Sequence, residues 1–364
     1  MALCRPIACA ASLQLVLAAA AYAQERTLPP PPAGVQTSRE YGIDFVTVNP
    51  SGQAVTPYTV PSELNPFGDD PRYVNRPIGN VPYAFRMART ELTTGQYVDF
   101  LNLAWRMTPQ NRFALEPTFW GGRLVSNNPN DMRWEIDPNV PNAADVPVWG
   151  LAFVGAAWYC NYLHNGRQSD LSTLTHGAYD TTTFGQNPDG TFTGQLTRSP
   201  GARFWVPSID EWAMAGFYDS NRNGAGQGGW WSHANSSEAF PAYGPPTVTG
   251  NTANAAWQTG NFDEFNVPVG SYPAQSPWGL FDVAGGPNEL TEGVSPFAGQ
   301  RYRWAVGSRT AMSVTDARFF DALGAVQFAA PGDPSFGLRI AASVPCPTAI
   351  AVFSFVPLFW RKRC

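Results

Sequence analysis

The chain has 364 residues, room for roughly two domains at about 150 residues each, and a formal net charge of -5 from 23 Lys plus Arg against 28 Asp plus Glu. That balance offers no basic footprint for DNA or RNA, so no nucleic acid is expected as a partner. Aromatics at 13% beside charged residues at only 14% exclude a disordered chain, and 34 Gly with 34 Pro describe a folded body rich in turns.

The N-terminus carries Arg5, an apolar run from Ile7 to Ala20 and the small-x-small step Ala21-Tyr22-Ala23. Basic, apolar and cleavable segments in this order predict a secretory signal over residues 1–23, and hence an exported protein. Residues 24–40 are polar and proline-rich, with Pro29 to Pro32 consecutive, and read as an extended linker. The folded domain is expected over 41–343. It opens with a strand from Tyr41 to Val48, which Asn49-Pro50-Ser51-Gly52 closes as a turn.

A second strand is expected from Tyr83 to Leu92, followed by a helix whose apolar stripe is Tyr97, Phe100, Leu101 and Ala104. Thr93 with Gln96 three residues later supplies its capping box. Another helix follows Pro147-Val148-Trp149-Gly150, with Val154, Ala157, Trp158 and Leu163 on one side and His164-Asn165-Gly166 as its stop. Cys160 lies inside that pattern and reads as a small buried hydrophobe. A third helix opens at Ser208 with Glu211 completing a capping box. After Gly216, turns and short strands run to the end, so the expected class is α+β, with few short helices, short antiparallel strands and many long loops. His164, His176 and His233 are widely spaced, lack the i, i+4 interval of a helical zinc pair and read as exposed or turn histidines.

The C-terminal residues 344–364 comprise Val344-Pro345-Cys346-Pro347, an apolar run from Thr348 to Trp360 and Arg361-Lys362-Arg363-Cys364. Motif, apolar run and basic end resemble a PEP-CTERM sorting signal, although Cys346 stands where that family has Glu. The resemblance implies an exosortase-type processing enzyme as partner and membrane contact through this segment before processing. It also implies a destination in a bacterial cell envelope, surface or extracellular matrix.

Five segments in order resemble the formylglycine-generating-enzyme or sulfatase-modifying-factor domain, a large variant of the C-type lectin fold. Arg89-Thr90-Glu91-Leu92-Thr93-Thr94-Gly95-Gln96-Tyr97 is similar to its "E-V-T-N-x-Q-Y", and Pro147-Val148 through Leu163 to its "P-V-x-x-V-S-W-x-x-A" helix. Phe204-Trp205-Val206-Pro207-Ser208-Ile209-Asp210-Glu211-Trp212 is similar to "R-L-P-T-E-A-E-W". Pro268 to Pro273 with Gly279 to Gly285 is similar to "P-V-G-S-F-P … G-L-Y-D-M-A-G", and Phe336-Gly337-Leu338-Arg339 to the closing "G-F-R".

In active members of that family, two cysteines soon after a Gly-Gly-Ser motif bind copper(I) and use dioxygen to oxidise a substrate cysteine to formylglycine. The corresponding motif here is Val306-Gly307-Ser308, and the thiol positions hold Ala311 and Asp316. From Gly307 to Arg339 the sequence has neither Cys nor His, so the soft ligands that copper(I) requires are missing and no copper is expected. The resemblance also implies structural calcium. One family site would use Asn254, Ala255, Asp263 and Phe265, and a second would retain Glu289 in a turn altered by Pro287. The reading that results is a non-catalytic domain presenting a lectin-type surface to an extracellular protein or glycan. An enzyme of the same family with a different chemistry and a structural surface or matrix protein are the alternatives.

Overall fold

The structure is a computed structural model that describes residues 27–50, 55–59, 77–107, 115–126, 133–247, 252–255, 263–294, 303–310, 312–321, 323, 327–329 and 334–345. The expected signal segment, most of the C-terminal segment and Ala311 lie outside these residues.

The strands of the two larger sheets are, in chain order, β1 (Thr37–Glu40), β2 (Ile43–Val48), β3 (Phe85–Ala88), β4 (Phe204–Trp205), β5 (Asn288–Val294), β6 (Arg303–Val306), β7 (Gln327–Ala329), β8 (Phe336–Gly337) and β9 (Ala341–Ser343). The first sheet runs β1-β2-β3-β9-β4, and the second runs β7-β6-β5-β8. All pairings are antiparallel except β5 with β8, where Glu289 stands beside Gly337. Because β8 and β9 are separated only by Leu338 to Ile340, the chain passes directly from one sheet to the other at Arg339.

Helices α1 (Thr94–Ala104), α2 (Phe153–His164) and α3 (Ile209–Phe217) form where capping and periodicity place them. The Gln96 side chain accepts from the Thr93 N–H at 3.1 Å. Glu211 and Ser208 exchange two bonds, Ser208 N–H to Glu211 Oε2 at 2.8 Å and Glu211 N–H to Ser208 Oγ at 3.1 Å. Cys160 is fully buried in α2, where burial pushes its thiol well above the ordinary range, so it packs as an inert hydrophobe. One core joins the elements, with Phe45, Phe85, Tyr97, Phe100, Phe204 and Trp304 all buried in it.

Three expectations are corrected. The linker does not extend to residue 40: Thr37–Glu40 pair with Ile43–Val46, and Tyr41 and Gly42, both at positive φ, make the two-residue turn of a hairpin. The strand expected from Tyr83 to Leu92 is shorter, because only Phe85–Ala88 finds partners on both sides, β2 and β9. A fourth helix, α4 (Val314–Phe320), replaces loop, with Asp316 N–H donating to Ser313 Oγ at 3.1 Å to start it.

Candidate functional site

Of the residues singled out in the sequence, Asn254, Ala255 and Ser308 come together where the loops around 254 and 282–286 meet the end of β6. Ser308 follows β6 and is fully buried. Its N–H donates to Asp321 Oδ1 at 3.2 Å, while the Tyr243 hydroxyl donates to Asp321 Oδ2 at 2.9 Å. Burial lifts the Asp321 carboxyl from 3.8 to about 6 against the opposing effect of those two bonds. The Ser308 hydroxyl has no hydrogen-bond partner among the described residues. Met312, Ala317 and Ala255 close over this end in a small apolar cluster with Tyr243 and Phe320.

His233 corrects the expectation of exposed histidines, since it is 3% exposed. Its Nδ1 lies 3.3 Å from the Asp321 backbone carbonyl, and burial lowers its pKa, so the neutral ring is favoured. No local pattern signals this burial, because the partner is 88 residues away. His176 is exposed, and His164 accepts from the Arg203 N–H through Nδ1 at 3.1 Å.

Asp316 is one of the two residues that the resemblance sets against the family's thiols. Asp316 is exposed in the first turn of α4, and its Oδ2 accepts from the Ser313 hydroxyl at 2.8 Å. Ser313 caps this seven-residue helix by accepting the Asp316 N–H, and Asp316 is an acid of its first turn. Copper does not fit this donor set: one exposed carboxylate and no thiol or imidazole between Gly307 and Arg339.

Asn254 and the segment from Asp263 do come together. The Asn254 amide donates to the Glu264 carbonyl at 2.8 Å, and its Oδ1 accepts from the Thr310 hydroxyl at 3.1 Å. Asn254 O also accepts from Gly286 N–H at 2.9 Å, so this one residue ties three loops. Asp263 is exposed, and its Oδ2 accepts from the Asn266 amide at 2.7 Å. Phe265 stacks on Phe119 with centroids 4.2 Å apart and meets Trp149 edge-on, and Ala255 is buried in the apolar cluster.

Glu289 lies elsewhere, in the interior between the sheets. Arg339 holds it through Nε at 2.8 and 3.0 Å and through Nη2 at 2.6 Å, and Trp212 Nε1 donates to it at 2.6 Å. Arg339 further donates to the Phe281 carbonyl at 2.9 Å and to the Ala88 carbonyl at 3.2 Å.

Beside this pair stands Glu91, which the sequence offered only as part of a family motif. It is 2% exposed, and neither carboxylate oxygen has a hydrogen-bond partner among the described residues. Burial first, and then the charge of Asp282, push its carboxyl well above the usual range, which favours the protonated form. Gly286 covers it so closely that a Cβ there would stand 2.5 Å from Oε1. Glu91 with its two orphaned oxygens is the better chemical fit to a hard cation, which takes oxygens from carboxylates and carbonyls. Among the described residues, however, no three His, Cys, Asp or Glu side chains converge on one point that could hold a metal ion. A cation here would therefore need backbone carbonyls to complete its shell.

No match was found among curated proteins. Solved structures similar to this chain include CarF, at 16% identity over 83% of this chain and 99% of that one, with a TM-score of 0.44. Treponema denticola variable protein 1 is similar at 14% identity over 85% and 99%, with 0.45. PvdO from Pseudomonas aeruginosa is similar at 15% identity over 87% and 100%, with 0.43. Residues 66–343, more than half of the chain, match the model of the sulfatase-modifying factor enzyme 1-like domain, and the protein belongs to that family, with its α+β, C-type-lectin-like fold.

Proposed function

We propose that this is an exported, envelope-associated member of the family that has given up copper and thiol oxidation and presents a binding surface to an extracellular protein or glycan. The observation that carries the reading is what stands where the resemblance places the thiols: Asp316 lies in the first turn of α4 with its N–H donated to the Ser313 cap, Ala311 is the other residue, and Cys160 is a buried thiol in a different element. Without a thiolate pair the protein cannot hold copper(I) or deliver electrons from a bound substrate cysteine to dioxygen. The leader at 1–23 and the sorting-type C-terminus support the location. Purified protein incubated with copper, a reductant and a cysteine-containing sulfatase peptide should leave the peptide mass unchanged. Turnover above a protein-free control would overturn the reading, and saturable binding on a glycan or envelope-protein array would identify the surface.

Structural calcium belongs to the same proposal. Asn254, Ala255, Asp263 and Phe265 would supply one carboxylate, one amide oxygen and two carbonyls, and Glu91 with Glu289 would supply carboxylates to the second site. A cation bound only to the native state raises its stability by mass action, about 2.7 kcal/mol at a hundredfold excess over Kd. Chelation should therefore lower Tm. Loss of that difference in Asp263→Ala assigns it to the exposed loop, and loss in Glu91→Gln assigns it to the buried acids. A melting curve indifferent to calcium and chelator removes both.

A further inference from the structure

The proline-rich segment expected as a free linker lies in a groove on the domain. Four consecutive prolines fix φ near -65° and favour an extended polyproline conformation that offers carbonyl acceptors and, at each proline, no N–H donor. A surface that recognises such a chain must supply donors to carbonyls and flat space for rings. The groove has both. Arg89 Nη2 donates to the Pro29 carbonyl at 2.6 Å, and Gln275 Nε2 donates to the Pro30 carbonyl at 3.2 Å. Arg89 is 5% exposed and fixed behind the groove: its Nε donates to the Gly279 carbonyl at 3.1 Å, and its guanidinium carbon lies 5.2 Å from the Phe281 ring centroid.

The floor is made of glycine where the segment touches it. A Cβ on Gly279 would stand 2.6 Å from Pro31 Cβ, and a Cβ on Gly270 would stand 2.6 Å from Leu28 Cδ2. Both glycines have positive φ, 89° and 67°, so any side chain there would be strained as well as obstructive. At Pro32 the segment turns, with Val35 N–H donating to the Pro32 carbonyl at 3.2 Å, and enters β1.

We propose that this groove, formed by Arg89, Gln275, Gly270 and Gly279, is a recognition site for extended proline-rich peptides. The chain's own residues 28–31 are its resident ligand. A proline-rich segment of another exported chain binds only by displacing them, so the cis segment sets a threshold for capture.

The test uses the full chain and a labelled synthetic peptide of residues 27–34. In a Pro29→Ser/Pro30→Ser/Pro31→Ser variant the resident segment is weakened, and the peptide should bind saturably and at least tenfold more tightly than to the unmodified chain. The same peptide with serine at those three positions should not bind, and adding Gln275→Ala to the variant should weaken binding several-fold. If the triple variant does not keep the native circular dichroism spectrum, Leu28→Ala is used with the same tenfold criterion. Failure of the peptide to saturate a folded variant, or equal binding of the proline and serine peptides, overturns the proposal.

Discussion

Replacing Arg339 by methionine is expected to destabilise the protein by about 3–5 kcal/mol, the range for breaking a buried ion pair from one side. The guanidinium is fully buried and makes three bonds to Glu289 and one each to the carbonyls of Phe281 and Ala88. Methionine fills much of the volume but leaves Glu289 as a charge with only the Trp212 indole N–H for company, and it orphans two carbonyls. The geography adds to the effect. Ala88 is in β3 of the first sheet, Glu289 is in β5 of the second, and Arg339 is in the crossing between β8 and β9. At roughly 2–4 °C per kcal/mol for a domain of this class, Tm should fall by about 10 °C. Adding Glu289→Gln should recover part of the loss by removing the buried charge. A single variant that melts within about 2 °C of the parent would show that the pair does not tie the sheets.

Glu91→Gln is expected to act in the opposite direction when measured in chelator. The Glu91 carboxyl is raised well above its ordinary value of 4.5 by burial, with repulsion from Asp282 as the next cause. Between 4.5 and that raised value the native state keeps a proton that the unfolded state has lost. Stability therefore falls as pH rises, by about 1.4 kcal/mol per unit from this one group. The contribution is intact below 4.5 and is gone once pH passes the folded value. Glutamine is nearly isosteric and never ionises, so the variant should lack this descending component and should be the more stable protein at pH 7. Denaturant titrations from pH 4.5 to 8 on both proteins measure the difference. Parallel stability curves would mean that the Glu91 carboxyl is not held protonated. With calcium present the order should reverse if the buried acids hold the cation, because Gln supplies one neutral oxygen in place of a carboxylate.

The elements whose signals are local were legible in the sequence. The Thr93/Gln96 and Ser208/Glu211 pairs mark helix starts because a cap is satisfied within one turn, and the apolar intervals of α1 and α2 follow from 3.6 residues per turn. Cys160 was readable as buried for the same reason, since its helix is apolar nearly all round. The ordered segments from Arg89 to Arg339 were enough for the family and the α+β class. Asp316 was readable as a departure from the family's thiols, but its exchange of bonds with the Ser313 cap of α4 required the folded geometry.

What only the tertiary structure decided are the contacts between residues far apart in the chain. Glu91 was one letter of a motif until folding set it beside Asp282 and Glu289, which lie about two hundred residues on, and desolvated it. His233 became a buried residue through a partner on the α4 side of the site, and Asn254 became the tie between three loops. Nothing near Pro29 to Pro32 in sequence records that Arg89, Gln275 and two glycines beyond residue 269 form a groove for them. Periodicity and capping report the few residues around each position. Burial, charge proximity and groove shape depend on where the fold brings distant segments, and a single sequence carries no local signal for that.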